Sequence, residues 1–211
     1  MDLEERHVKV LVIDGHPGEG RLASHLLETY AAALGPGVEV ERFPLREMPF
    51  DPVLHEGYQA QQPWEPHLER IAQALLASDH LVVGFPLWWG AEPAPLKGLL
   101  DRLLLPDFAF RRLGRASWER LLSGRSADVI ITADTPAWYL RFVYGNPVVR
   151  RWRQQVLGYC GFHPVRVLVL GPVPRGDAEG TLGAWRKKVA RLAQSAPRPK
   201  RAVGSTAARH A

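Results

Sequence analysis

The sequence predicts an α/β chain built on one doubly wound parallel sheet of five strands with helices on both faces. Three observations predict it. Short apolar runs recur along the chain, helical stretches separate them, and turn residues close the runs. Strands that alternate with helices read as βαβ units and therefore as a parallel sheet. The expected strand order is 2-1-3-4-5.

Residues 8–13, apolar apart from Lys9, form the first strand. Residues 22–34 follow as a helix, with Leu22, Leu26, Leu27, Tyr30 and Leu34 as its apolar stripe. Gly35-Pro36-Gly37 ends that helix. Residues 38–43 alternate apolar and charged side chains, the mark of a strand with one wet face at a sheet edge. Residues 44–66 are a proline-punctuated segment, too long for a plain connection and read as a functional loop or a cover. A helix at 68–77 leads to the third strand, 81–85. A helix at 95–105 has proline in its first turn, where proline is tolerated. Residues 128–132 are the fourth strand, 148–159 a helix, 165–170 the fifth strand and 178–194 the last helix.

At 211 residues, 46% hydrophobic and 23% charged, the chain suits one domain with a full core. No apolar run reaches the ~20 residues needed to span a bilayer. The start, Met1-Asp2-Leu3-Glu4-Glu5-Arg6, is acidic and unlike a secretory signal. The single cysteine, Cys160, excludes an internal disulfide framework and a cysteine-rich metal site, and no metal is expected. A cytoplasmic location follows as the default. The net charge of +5 sits largely in the tail, because four Lys/Arg and no acid lie between Pro197 and Ala211. The remainder carries 23 basic against 22 acidic residues, so nucleic acid is not the expected partner. Residues 1–195 are read as the folded domain, and 196–211 as a basic, disordered tail.

Three loops leave the carboxyl ends of the first, third and fourth strands, and the predicted order makes those strands neighbours. Ligands of open α/β sheets bind at that edge. The first loop is Asp14-Gly15-His16-Pro17-Gly18-Glu19-Gly20-Arg21. Glycines let backbone approach a phosphate, and the following helix, starting at Leu22, offers amides and a positive dipole. His16 and Arg21 can add polar contacts and Ser24 a hydroxyl, although Ser24 also reads as solvent-facing. The G-x-G-x-x-G spacing is absent, so a glycine-rich turn without a ligand stays open as a reading. The second loop is Pro86-Leu87-Trp88-Trp89-Gly90. Two adjacent tryptophans on extended backbone cannot both enter one core, so one is expected to face a ligand or partner. The third is Thr132-Ala133-Asp134-Thr135-Pro136-Ala137-Trp138-Tyr139. Its hydroxyls and amides suit the polar edge of a heterocycle. Asp134 reads equally as an acceptor for a ring N–H or as a turn cap.

The residues Gly15-His16-Pro17, Phe85-Pro86-Leu87-x-Trp89-x-x-x-Pro93-Ala94-x-Leu96-Lys97-Gly98, Asp101 and Asp107-Phe108-Ala109-Phe110 resemble the flavodoxin-like NAD(P)H:quinone oxidoreductases. That group includes DT-diaphorase and the ancillary subunits of potassium-efflux systems. The segments 132–139, 144–145 and 157–162 resemble one bacterial branch of it, and the resemblance runs from about Lys9 to Leu192.

The resemblance implies bound FAD or FMN, with NAD(P)H as donor and a quinone-like acceptor. It implies two-electron ping-pong hydride transfer and a homodimer with its sites at the interface. It places His16 at the flavin phosphates, and Pro86, Leu87, Trp88, Trp89 and Gly90 along the isoalloxazine ring. Thr132, Asp134 and Thr135 would lie along the ring's other edge. Arg21 stands near the position where the family often has a serine, and Ala133-Asp134 replaces a double glycine. The family's proton-handling tyrosine–histidine pair has Tyr139 or Tyr144 as nearest counterparts. The alternative function is a flavin- or nucleotide-binding regulatory subunit of a transporter. Peripheral membrane association is left open beside both.

Overall fold

A computed structural model describes residues 7–176 and 178–197. The expected tail lies almost entirely outside the described residues. Strands β1 (Val8–Asp14), β2 (Val38–Pro44) and β3 (His80–Pro86) alternate with helices α1 (Leu22–Ala32) and α2 (Pro66–Ala77). Helix α3 (Ala94–Leu103) leads to a two-stranded hairpin, β4 (Phe110–Arg112) and β5 (Trp118–Arg120). Strand β6 (Ser126–Thr132) and the short helices α4 (Ala137–Phe142), α5 (Pro147–Arg150) and α6 (Leu157–Cys160) follow. Strand β7 (Val165–Leu170) and helix α7 (Glu179–Gln194) complete the described fold. The main sheet is parallel throughout, in the order β2-β1-β3-β6-β7. That is the predicted 2-1-3-4-5 with the hairpin strands set aside.

The burial follows from the pattern. β3 and β6 are central and buried at every position, as strands covered on both faces must be. β2 alternates and lies at an edge. Leu68, Ile71 and Leu75 of α2, Leu96 and Leu99 of α3, and Trp152 pack on one face of the sheet. Leu26, Leu27 and Tyr30 of α1, with Trp185 and Val189 of α7, pack on the other.

The chain differs from the sequence expectation in three places. The hairpin was not foreseen, because two three-residue strands rich in arginine carry no readable period. Helix α4 was not foreseen either. The helix expected at 148–159 is instead α5, a π-helical stretch at Arg151–Val156, and α6. Gly158 permits that widening, since a Cβ there would stand 2.1 Å from the Arg153 carbonyl oxygen.

The segment from Met48 to Glu65 is a strap over α3. The fully buried Arg102 guanidinium donates to the Asp51 carbonyl (2.5 Å), the Pro63 carbonyl (2.7 Å) and both Glu65 oxygens (3.2 and 3.0 Å). Trp64 returns a bond from Nε1 to the Arg102 carbonyl at 2.8 Å. At the amino end of the sheet a second polar group is sealed. Asp128 accepts from Arg166 Nε (2.6 Å), Arg166 Nη2 (2.5 Å) and Tyr30 Oη (2.6 Å). His80 lies 3.3 Å from Asp128 and 2.7 Å from the Ser126 hydroxyl. Arg166 also binds the Leu192 and Ser195 carbonyls, tying down the end of α7.

Candidate functional site

The carboxyl edge of β1, β3 and β6 gathers the three loops. β1 ends in Asp14, whose carboxylate organises the first loop. It accepts the His16 backbone N–H (3.1 Å), the Ser24 hydroxyl (2.6 Å) and Arg46 Nη1 (2.6 Å). Ser24 is therefore buried and committed to Asp14 rather than facing solvent. Arg46 stands in a 3-10 turn, Leu45–Glu47, directly after β2. Sequence reasoning missed it, and its only signal was a cation inside the long proline-punctuated segment.

The Gly18 backbone N–H donates to His16 Nδ1 at 2.8 Å, which leaves the ring proton on Nε2. Partial burial lowers the His16 pKa below 6.5; Arg21 and Arg46 add to this and Asp14 opposes it. Arg21 is exposed and occupies the N-cap position of α1, where no side chain caps the helix. The first-turn N–H groups of a helix have no partner within it, so those at Leu22, Ala23 and Ser24 form an anion-receptive end.

The tryptophan loop is a tight reversal rather than extended backbone. Trp88 N–H donates to the Ala91 carbonyl at 2.9 Å, and Ala91 N–H returns a bond of 3.0 Å. The two central residues, Trp89 (φ 51°) and Gly90 (φ 80°), both have positive φ, the pattern of a type I′ turn. Neither tryptophan enters the core: Trp88 is half exposed and Trp89 fully exposed. The alternation rule did not apply, because a turn does not alternate. Pro86 is buried at the end of β3. Leu87 N–H is spent on the Thr132 carbonyl at 2.7 Å. Among the described residues, the Trp89 and Gly90 N–H groups have no such partner.

The structure joins the first two loops directly, since the His16 and Trp88 rings meet edge to face at 5.6 Å. The third is joined at its root through the Leu87–Thr132 bond. Thr132 is buried, Thr135 half-buried and Asp134 exposed. Tyr139 and Tyr144 lie edge to face at 5.1 Å, and Tyr139 also meets Trp138 at 5.5 Å. Their ring contacts are with this group rather than with Trp88 or Trp89. A groove of about 700 Å³, lined by Tyr58, Trp64 and Phe108, shares no residue with the three loops. It is formed between the strap and residues 105–108, with Gln59, Gln61 and Asp107 in its lining, whereas the carboxyl edge is the candidate site because the three loops meet there.

The chain is 29% identical over 129 residues to the rat (Rattus norvegicus) protein named NAD(P)H dehydrogenase [quinone] 1, covering 58% of this chain and 47% of the other. It is 33% identical over 90 residues to an FMN-dependent NADH:quinone oxidoreductase of Methylobacterium radiotolerans, covering 36% and 44%. The chain thus spans about half the length of these curated relatives. The solved structure of Smu.1420 from Streptococcus mutans superposes with a TM-score of 0.75 at 27% identity, covering 89% of this chain and 99% of the other. The model of the family Flavodoxin_2, described as a flavodoxin-like fold, matches residues 8–193. The chain belongs to that flavodoxin-like family, and within it resembles the NAD(P)H:quinone oxidoreductases.

Proposed function

We propose that this protein is a flavin-dependent NAD(P)H oxidoreductase that reduces a quinone or similar acceptor. One observation carries the reading: an uncapped helix end beside His16 and Arg21 faces, across the His16–Trp88 contact, a fully exposed Trp89–Gly90 turn with two unspent amides. The residues fit a flavin. Phosphate suits the α1 end, where His16 Nε2–H and the Arg21 guanidinium add donors. A planar ring suits the Trp89 indole, with the Trp89 and Gly90 N–H groups at its edge. Thr132, Asp134 and Thr135 would supply polar contacts from the neighbouring strand end.

Held by these residues, a flavin would supply two-electron hydride-transfer chemistry between NAD(P)H and the acceptor. The protein's own part is orientation and charge. The two unspent amides would stabilise negative charge at the ring edge. The hydroxyl of Tyr139 or Tyr144 would hold or deliver a proton at the acceptor. No other acid or base of the chain is needed.

A homodimer belongs to the same proposal. Trp138, Phe142, Val143 and Tyr144 are exposed together on and after α4, an apolar surface of the kind that a partner covers. Light scattering on the purified protein checks it. The cytoplasmic location belongs to it too, supported by the lone, buried Cys160.

The function is tested by titrating the purified protein with FMN and with FAD while following flavin fluorescence, then assaying NADH and NADPH oxidation with a soluble quinone. Saturable quenching with one flavin and quinone-dependent oxidation support the proposal. Absence of binding to both flavins would remove it.

A further inference from the structure

Trp89 holds a costly conformation for no packing return. A non-glycine residue in the left-handed region is strained, and its indole touches no core. Such a conformation persists only where the surroundings over-determine it. The flanks of the turn supply that constraint. On the amino side, Leu87 N–H is bonded to the Thr132 carbonyl. On the carboxyl side stands Glu92, whose side chain is wholly buried and gripped by both Nη atoms of Arg151, with Nη2 to Oε1 at 2.7 Å. Pro93 follows and restricts the backbone further.

Arg151 is the first residue of the π-helical stretch, and such stretches occur often at functional sites. The next residue, Trp152, is fully buried and stacks on Phe85 at 5.1 Å. The stretch therefore grips the tryptophan loop from both sides, through Phe85 before it and Glu92 after it. A buried ion pair rarely exceeds a well-packed apolar pair in stability. What a guanidinium fork on a carboxylate adds is direction, because two parallel bonds fix the carboxylate in its plane.

We infer that Glu92 and Arg151 are positioning residues that set the Trp89–Gly90 turn, and with it the indole and the two unspent amides, against the bound ring. The inference rests on the flavin reading of the site. Neither residue is needed for chemistry; the pair acts through the turn.

The test uses protein labelled with ¹⁵N-tryptophan, in which Trp89 is one of seven backbone signals and is assigned with W89F. Glu92→Gln, Arg151→Met and Arg151→Lys are compared with the parent, and FMN affinity is measured on each. The expected result is a displaced or split Trp89 signal in E92Q and R151M, an unmoved Trp185 signal, and FMN affinity at least about tenfold weaker. R151K, which keeps the charge without the fork, recovers only part of the affinity. Should R151M fail to fold, E92Q carries the test. An unmoved Trp89 signal with unchanged FMN affinity in E92Q overturns the inference and leaves the flavin reading standing. A displaced Trp89 signal in a protein whose parent binds no flavin overturns the flavin reading and leaves the positioning pair standing.

Discussion

Asp128 lies near the amino end of β6 and Asp134 two residues beyond its carboxyl end, and they live in opposite circumstances. Asp128, toward the amino end, is fully buried and takes bonds from Arg166, Tyr30 and His80. Asp134, just beyond the carboxyl end, is exposed, and its carboxylate has no bond among the described residues. The same contrast holds across the sheet. The amino end is closed around a satisfied network. The carboxyl end leaves amides, indoles and a carboxylate unspent. The carboxyl end has satisfied groups of its own in Asp14 and Glu92, but unlike the amino end it also leaves groups exposed, as expected when a rigid scaffold holds up loops.

The strongest way to break this comparison is to open the closed end. Asp128→Ala strands the Arg166 charge, and removing one partner of a buried pair costs about 3–5 kcal/mol. Asp134→Ala should change stability by less than about 0.5 kcal/mol. Urea unfolding of the two variants checks the pair, and similar losses would refute the division of labour.

The pH profile sharpens it. Burial pushes the Asp128 pKa up, but bonds from His80 and Arg166 outweigh burial and hold it below the ordinary carboxylate range. Its contribution is complete above the unfolded value near about 4 and is lost as pH falls below it. Burial and the neighbouring Asp128 push the Tyr30 pKa far above its ordinary value. The unfolded chain would ionise near about 10, so this contribution is lost as pH rises past that point. Between these limits the contributions of Asp128 and Tyr30 are both constant. Tyr30→Phe should cost about 1 kcal/mol at neutral pH and flatten the alkaline loss, as read from urea midpoints across pH.

At the open end the signs should reverse. Trp89→Gly removes the left-handed strain and should stabilise the fold by about 1 kcal/mol or less. It should also weaken flavin binding at least about tenfold. Thermal unfolding and flavin titration on one sample check both. A variant less stable than the parent, or one with unchanged affinity, would contradict the account. The smallest effect concerns Cys160, whose thiol burial pushes up to about 12. It should resist iodoacetamide at pH 8 in the native protein and react on unfolding, as mass spectrometry will show.

Much of this was legible in the sequence. The apolar runs placed all five sheet strands to within two residues at each end, and Pro95 marked one helix start, while Pro66, read as the end of the long loop, is the first residue of α2. The order followed from handedness and from the wet face of β2. What escaped notice depends on contacts distant in sequence. Arg46 joins Asp14 from the turn after β2, and Arg151 reaches Glu92 in the loop before α3; neither contact is written in a local period. The π stretch also breaks the period by which helices are read. The paired tryptophans were singled out on the assumption of extended backbone, whereas a turn exposes both. Ser24 was read either as a hydroxyl for the ligand or as outward-facing, because nothing local shows that Asp14 waits beneath it.

The central claim is that the carboxyl edge carries hydride chemistry on a bound flavin. An absorbance spectrum of the flavin-loaded protein, before and after adding NADPH or NADH without oxygen, tests it most directly. The account predicts a flavin band near about 450 nm that bleaches with one or both nucleotides and returns when a quinone is added. A protein that stays colourless after reconstitution with FMN and with FAD, or whose band does not bleach with either nucleotide, would contradict it.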